Sequence, residues 1–136
     1  MSAWILRFSD NRFTIGPRKS VAVLHCTADG DEVELEVLEG GWEEEPGLRG
    51  LVRGQIDKGR SRLILDLGTI QRIDSNGVGE IVAVSEHAKN QGGVVAIANL
   101  QPGVRDIFKI LYLDKVILIF DSISEAVDYL IQPQTT

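Results

Sequence analysis

The sequence predicts a single α/β domain: a mixed sheet with helices packed on it, and helix–strand alternation through the C-terminal two-thirds. Three observations carry this. Residues 63–67, 94–98 and 116–120 are apolar almost without a break, the mark of strands buried on both faces in a largely parallel sheet. The stretches between and after them carry apolar residues at helical spacing and are long enough to act as crossovers. Ahead of them lie strand-like runs separated by turn residues, and a length of 136 residues suits one core.

The elements follow in order. Ile5, Leu6 and Phe8, then Phe13 and Ile15, flank the turn-like run Ser9-Asp10-Asn11-Arg12. Residues 1–20 are therefore expected to form an N-terminal extension folded as a hairpin. Pro17, Arg18 and Lys19 separate it from a strand over 21–27. Asp29-Gly30 is a turn signal. Beyond it Val33, Leu35 and Val37 alternate with Glu34 and Glu36, predicting a strand with one wet face. Residues 46–59 read as a helix, with Pro46 in its first turn and Leu48, Leu51, Val52 and Ile56 near helical spacing. Gly47, Gly50 and Gly54 weaken it, each interior glycine costing about 1 kcal/mol against alanine, and leave one face bare.

The next helix is expected to turn Val78, Ile81, Val82, Ser85 and Ala88 inward and to stop at Gln91-Gly92-Gly93. Val104, Ile107, Phe108 and Leu111 mark another, and Ile123, Ala126, Val127 and Leu130 the last, which Ser122 and Glu125 open as a capping box. The domain proper is expected to span residues 21–131, with 132–136 as a flexible tail.

Composition excludes several function classes. With 14 basic and 20 acidic residues the net charge is −6, which argues against direct binding to a nucleic-acid backbone. A lone cysteine, Cys26, allows no intrachain disulfide, and a reducing, cytoplasmic setting is expected. Trp4, Ile5 and Leu6 run at once into Arg7, so no signal peptide is read, and the longest apolar run is too short for membrane insertion.

His25 and Cys26, being adjacent, should face opposite sides of a strand, a buried thiol and a partly exposed imidazole rather than a metal site. His87 falls late on a helix, where it suits the dipole. Glu43-Glu44-Glu45 reads as a solvated helix start or a contact for a basic partner, and Trp42 as a core-edge residue or an interface anchor. No catalytic residue, cofactor or metal is assigned. A serine-hydrolase elbow needs glycine two residues before the nucleophile, where Ile73 stands. Gly77-Val78-Gly79 opens like a dinucleotide fingerprint, but Val82 occupies the third glycine position.

The segment that carries chemistry is Asp66 to Gly79, where a buried strand gives way to a helix. Ser75 is expected near the N-cap, and Gly77 and Gly79 in the first turn leave the free backbone amides uncovered. Two readings follow. Ser75 is a cap, worth about 1 kcal/mol; or it is a modification site at a helix mouth that receives an anion well, where a phosphate adds roughly −1.5 to −2 charges.

Leu63-Ile64-Leu65-Asp66-Leu67 followed by Ile73-Asp74-Ser75-Asn76-Gly77-Val78-Gly79 resembles the signature of the STAS domain, the family that includes the bacterial anti-sigma factor antagonists. The resemblance continues through Gly92-Gly93, the strand to Asn99-Leu100, Val104 to Leu113, and Phe120-Asp121-Ser122 with the closing helix. It departs at Gly40-Gly41-Trp42-Glu43, where many antagonists carry a Gly-x-hydrophobic-Asp run.

The resemblance implies a non-enzymatic regulator of transcription. When Ser75 is unmodified it binds a partner that is both anti-sigma factor and serine kinase. Phosphorylation of Ser75 breaks that complex, and a phosphatase resets it. Asp74, Ser75, Asn76, Gly77 and Gly79 would form the partner-binding loop. The alternative the family allows is an unphosphorylated scaffold subunit of a stress-sensing assembly or a transporter complex. A homodimer is also expected, through the N-terminal extension.

Overall fold

The computed structural model describes residues 2–8, 21–27, 32–38 and 47–131. The described strands are β1 (Ser2–Phe8), β2 (Val21–Thr27), β3 (Glu32–Leu38), β4 (Arg62–Asp66), β5 (Val94–Ala98) and β6 (Leu118–Phe120). The helices are α1 (Leu48–Asp57), α2 (Ser75–Asn90), α3 (Pro102–Ile110) and α4 (Ile123–Ile131), with a short 3₁₀ turn at Leu113–Lys115. The strands form one mixed sheet in the order β3-β2-β1-β4-β5-β6. β3, β2 and β1 are antiparallel, and β1, β4, β5 and β6 run parallel.

Strand alternation sorts the apolar residues into two cores. Leu63, Leu65, Val95 and Ile97 face α1, α2 and α3, where they meet Leu51, Ile81, Val104 and Phe108. Ile5, Ile64, Ala96 and Ala98 face the other way, onto Ala126, Val127 and Leu130 of α4. The two alanines of β5 let this single helix lie close to the sheet. Among the described residues no helix is long and apolar enough to cross a membrane.

Four expectations are corrected. Residues 2–8 are not part of an appended hairpin: β1 lies inside the sheet, paired with β2 on one side and β4 on the other. Its charged Arg7 disguises it, because that guanidinium is paired at the end of the strand with Asp66. Phe13 and Ile15 lie outside the described residues, as do Trp42, Glu43-Glu44-Glu45, Pro46 and residues 132–136.

In β3 the clean alternation is broken by a register shift between Val23 and Leu24. Val37 sits opposite Ala22 and Val33 opposite His25, so these valines face opposite sides of the sheet. Both are exposed, as is Leu35, while Glu36 is partly buried. In α2 the buried residues are Gly77, Ile81, Val84 and Ala88. Val84 joins the expected stripe because the fully buried residues run i, i+4, i+7, i+11, while Val78 and Val82 are partly buried and pack against the same core and Ser85 is half-buried. Residues 116–117 precede β6 rather than belong to it, with Val116 exposed and Ile117 buried.

At the amino end of β4, Trp4 stacks on His25 with ring centroids 4.5 Å apart, and the Arg60 guanidinium lies 4.3 Å from the Trp4 ring centroid. Arg60 also donates to Glu36 at 2.8 Å and Gln55 at 2.6 Å, and Lys58 donates to Glu36 at 3.0 Å. The Lys58 bond, against an opposing effect of burial and with help from Arg60 and Gln55, holds the Glu36 carboxyl below the usual range. Its contribution to stability is therefore present at neutral pH and lost as pH falls through that lowered value.

Among the described residues, two that are not glycine hold positive φ: Asn99 at 63° and Tyr112 at 57°. Tyr112 follows Leu111, the C-cap of α3. Glycine ordinarily takes this position, and a bulky side chain there costs on the order of 1 kcal/mol.

Candidate functional site

The site forms where the carboxyl ends of β4 and β5 meet the mouth of α2. Its base is Asp66, the last residue of β4, only 8% exposed. One carboxylate oxygen accepts from the Gly68 amide at 3.0 Å and from Asn99 Nδ2 at 3.2 Å. The other accepts from Arg7 Nε at 2.8 Å. Arg7 reaches on to Glu32, Nη1 at 3.1 Å. Burial works to lower the Arg7 pKa, but the bonds and charges of Glu32 and Asp66 outweigh it and raise it, so the guanidinium stays charged.

The loop of residues 67–74 is clamped onto this base. The Leu67 amide donates to the Ala98 carbonyl at 3.1 Å, and Gln101 Nε2 donates to the Gly68 carbonyl at 2.6 Å. At Gly68 a Cβ would come within 3.2 Å of Asp66 Oδ1 and 3.5 Å of Asn99 Cβ, so the turn leaves little room for a side chain. Ile70 and Ile73 are buried and peg the loop into the core, leaving Gln71, Arg72 and Asp74 at the surface.

At the helix mouth the structure reassigns the cap. Asp74, with extended φ and ψ, is the N-cap of α2, and its Oδ1 accepts from the Gly77 amide at 2.8 Å. Ser75 is the first helical residue and is exposed, beside exposed Asn76. The expectation that Ser75 caps the helix is therefore corrected. An aspartate beside it makes a charge-assisted bond that a serine hydroxyl cannot match. Gly77 is buried and Gly79 exposed, with nothing within 4 Å of where a Gly79 Cβ would sit.

Asp74, Ser75, Asn76, Gly77 and Gly79 thus share one helix mouth. The first turn contains no acidic residue, so the positive end of the helix dipole there is offset only by the cap. Asp74→Ala is expected to cost about 1 kcal/mol in urea unfolding, whereas Ser75→Ala should fall within about 0.5 kcal/mol of wild type.

The spacing of the motif located this loop but not what holds it. Arg7, Asn99 and Gln101 come from distant parts of the chain. The one local hint was Asp66 itself, a lone carboxylate in an apolar strand, which must be paired to be buried. Cys26 is buried in β2 while His25 is partly exposed, as their adjacency implied. Among the described residues no cluster of three or more His, Cys, Asp or Glu side chains is arranged to hold a metal ion.

The chain and its fold resemble known proteins. The STAS domain family matches residues 42–126. A Thermotoga neapolitana protein, a candidate anti-sigma factor antagonist by name, is 32% identical over 73 residues, 54% of this chain and 65% of its own. This chain spans less than two thirds of the length of the curated relatives it matches. The crystal structure of a candidate anti-sigma factor antagonist from Thermotoga maritima superposes with a TM-score of 0.54 at 26% identity, covering 61% of this chain and 74% of that one. Unphosphorylated SpoIIAA, named an anti-sigma factor antagonist, shares the fold at 20% identity with a TM-score of 0.50, over 63% of this chain and 76% of its own. With the family matching more than half of its residues, the chain belongs to the STAS domain family.

Proposed function

We propose that the chain is a phosphorylation-controlled binding module of the anti-sigma factor antagonist type, acting in the cytoplasm and without catalytic activity of its own. One observation carries this reading: Ser75 stands exposed at the first position of α2 while Asp74 supplies the cap. The hydroxyl is therefore not committed to holding the helix.

A phosphate on Ser75 would add roughly −1.5 to −2 charges beside the amino end of the helix dipole, which favours an anion. Asp74 would oppose it in part. The fold should tolerate the change, while a partner packed against the loop would lose contact and meet new negative charge. The partner is an anti-sigma factor with serine kinase activity, and a phosphatase restores the binding form.

Peptide mass spectrometry of the protein purified from its host should find a single phosphate on Ser75. In affinity capture from the same cells, Ser75→Ala should retain a kinase-like partner and Ser75→Asp should lose it by at least about tenfold, equivalent to 1.4 kcal/mol. Equal capture by the two variants sinks the switch and leaves a constitutive scaffold subunit.

A further inference from the structure

We propose that the cleft at the amino ends of β4 and β5 binds a small organic monocarboxylate, with its acid group on Arg62 and its apolar body against α4. The cleft lies at the opposite end of the parallel strands from Ser75. Its volume is about 350 Å³, within the range of small-molecule sites. Arg62 opens β4. Ile64, two residues on, faces α4, so strand alternation turns Arg62 to the same side.

Arg62 is the telling residue. Arg7, Arg60 and Arg105 are half-buried, and each pairs with a carboxylate. Arg53 and Arg72 make no ion pair but are exposed. Among the described residues, Arg62 alone is a half-buried arginine with neither an ion pair nor a hydrogen bond. A guanidinium drawn partly out of water without an acceptor is unfavourable. A carboxylate matches its planar fork with two parallel bonds.

The rest of the cleft defines what else the ligand carries. Val94, Leu118 and Leu130 line it with apolar surface. Tyr129 adds a ring held against Phe120, with centroids 5.3 Å apart. At Gly93 a Cβ would meet the Ser61 carbonyl oxygen at 2.6 Å, so this wall is bare backbone. The amides of Gly92, Gly93 and Val94 donate to the Lys89, Ala88 and Ser61 carbonyls at 3.1, 2.8 and 2.8 Å. With those donors spent, the backbone forms no phosphate cradle, and the Arg62 guanidinium with the Ser61 and Tyr129 hydroxyls must do the recognising. Among the described residues Arg62 is the one charged side chain lining the cleft, on a chain of net charge −6. A monoanion is therefore matched and a polyanion repelled.

The test is a titration of the isotope-labelled full chain with phenylacetate, followed by amide chemical shifts at constant ionic strength. It should run to about 20 mM, well above the dissociation constant of about 1 mM expected for so small a ligand. The shifts should saturate and centre on residues 61–62, 92–94, 118 and 129–130. Phenethyl alcohol, which keeps the ring and loses the charge, should bind at least about tenfold more weakly, and Arg62→Gln should weaken phenylacetate binding as much. The alcohol tests the charge on the wild-type protein, so the result does not hinge on how the variant folds. Inorganic phosphate at equal concentration should leave phenylacetate bound. The proposal is overturned by shifts that do not saturate or that centre elsewhere, by equal binding of the alcohol, by undiminished binding to Arg62→Gln, or by displacement with phosphate. The cleft is remote from Ser75, so none of these outcomes bears on the switch.

Discussion

Asp66→Ala is expected to destabilise the domain by about 3 kcal/mol in urea unfolding. The Asp66 side chain is 10% exposed and its carboxylate accepts from Arg7, Gly68 and Asn99. Removing it orphans three donors at once. The Arg7 side chain is 38% exposed, so water can rehydrate part of its charge, which keeps the cost at the lower end of the range for a broken buried pair. The Gly68 amide and Asn99 amide have less recourse. Asp66→Asn keeps one acceptor and the shape, and should cost less than half as much.

The loss should also be local. Gly68 and Asn99 anchor the loop that ends in Asp74 and Ser75, so amide exchange in residues 67–77 should quicken before that in β4 or β5. If Asp66→Ala unfolds at the wild-type urea midpoint, the network is decorative and the loop is held by Ile70 and Ile73 alone.

The network explains why the site was only half legible in the sequence. Ser75 and its neighbours are contiguous, so their spacing announced a strand-to-helix turn. Which of two adjacent polar residues caps the helix was not legible, since Asp74 and Ser75 are both good caps and the choice rests on a one-residue difference in where the helical dihedrals begin. The supporting residues were harder still. Arg7 reaches Asp66 only because β1 inserts between β2 and β4, a parallel pairing across more than fifty residues for which the local pattern holds no signal.

The runs that became β4 and β5 were legible because each is buried on both faces and needs no partner to betray it. β3 was misread for the opposite reason. Its alternation of valine, leucine and glutamate is correct in sequence, but the register shift opposite Val23 and Leu24 redistributes the faces. Glu36, read as solvated, is instead the acceptor for Lys58, Arg60 and Gln55. A bulge costs nothing in hydropathy and so leaves no trace there.

The second large effect concerns α3, which ties the two ends of the molecule together. Its N-cap residue, Gln101, donates to the Gly68 carbonyl of the Ser75 loop, and its far end leads into the exposed segment around Tyr112. Within the helix only Val104 and Phe108 are buried. Phe108 is fully so, and Phe108→Ala should cost about 3–5 kcal/mol. That is a large share of the 5–15 kcal/mol typical of a domain.

With a single buried residue remaining, α3 should detach from the sheet before the rest unfolds. Amide exchange in Phe108→Ala should then accelerate across α3 by more than it does in α2 or β4. The Gln101 contact should loosen with it, quickening exchange in the Ser75 loop while Asp74 still caps α2. A uniform acceleration across α2, α3 and β4 would show instead that α3 opens only with the whole domain, and the two ends would then be coupled through the core rather than through this helix.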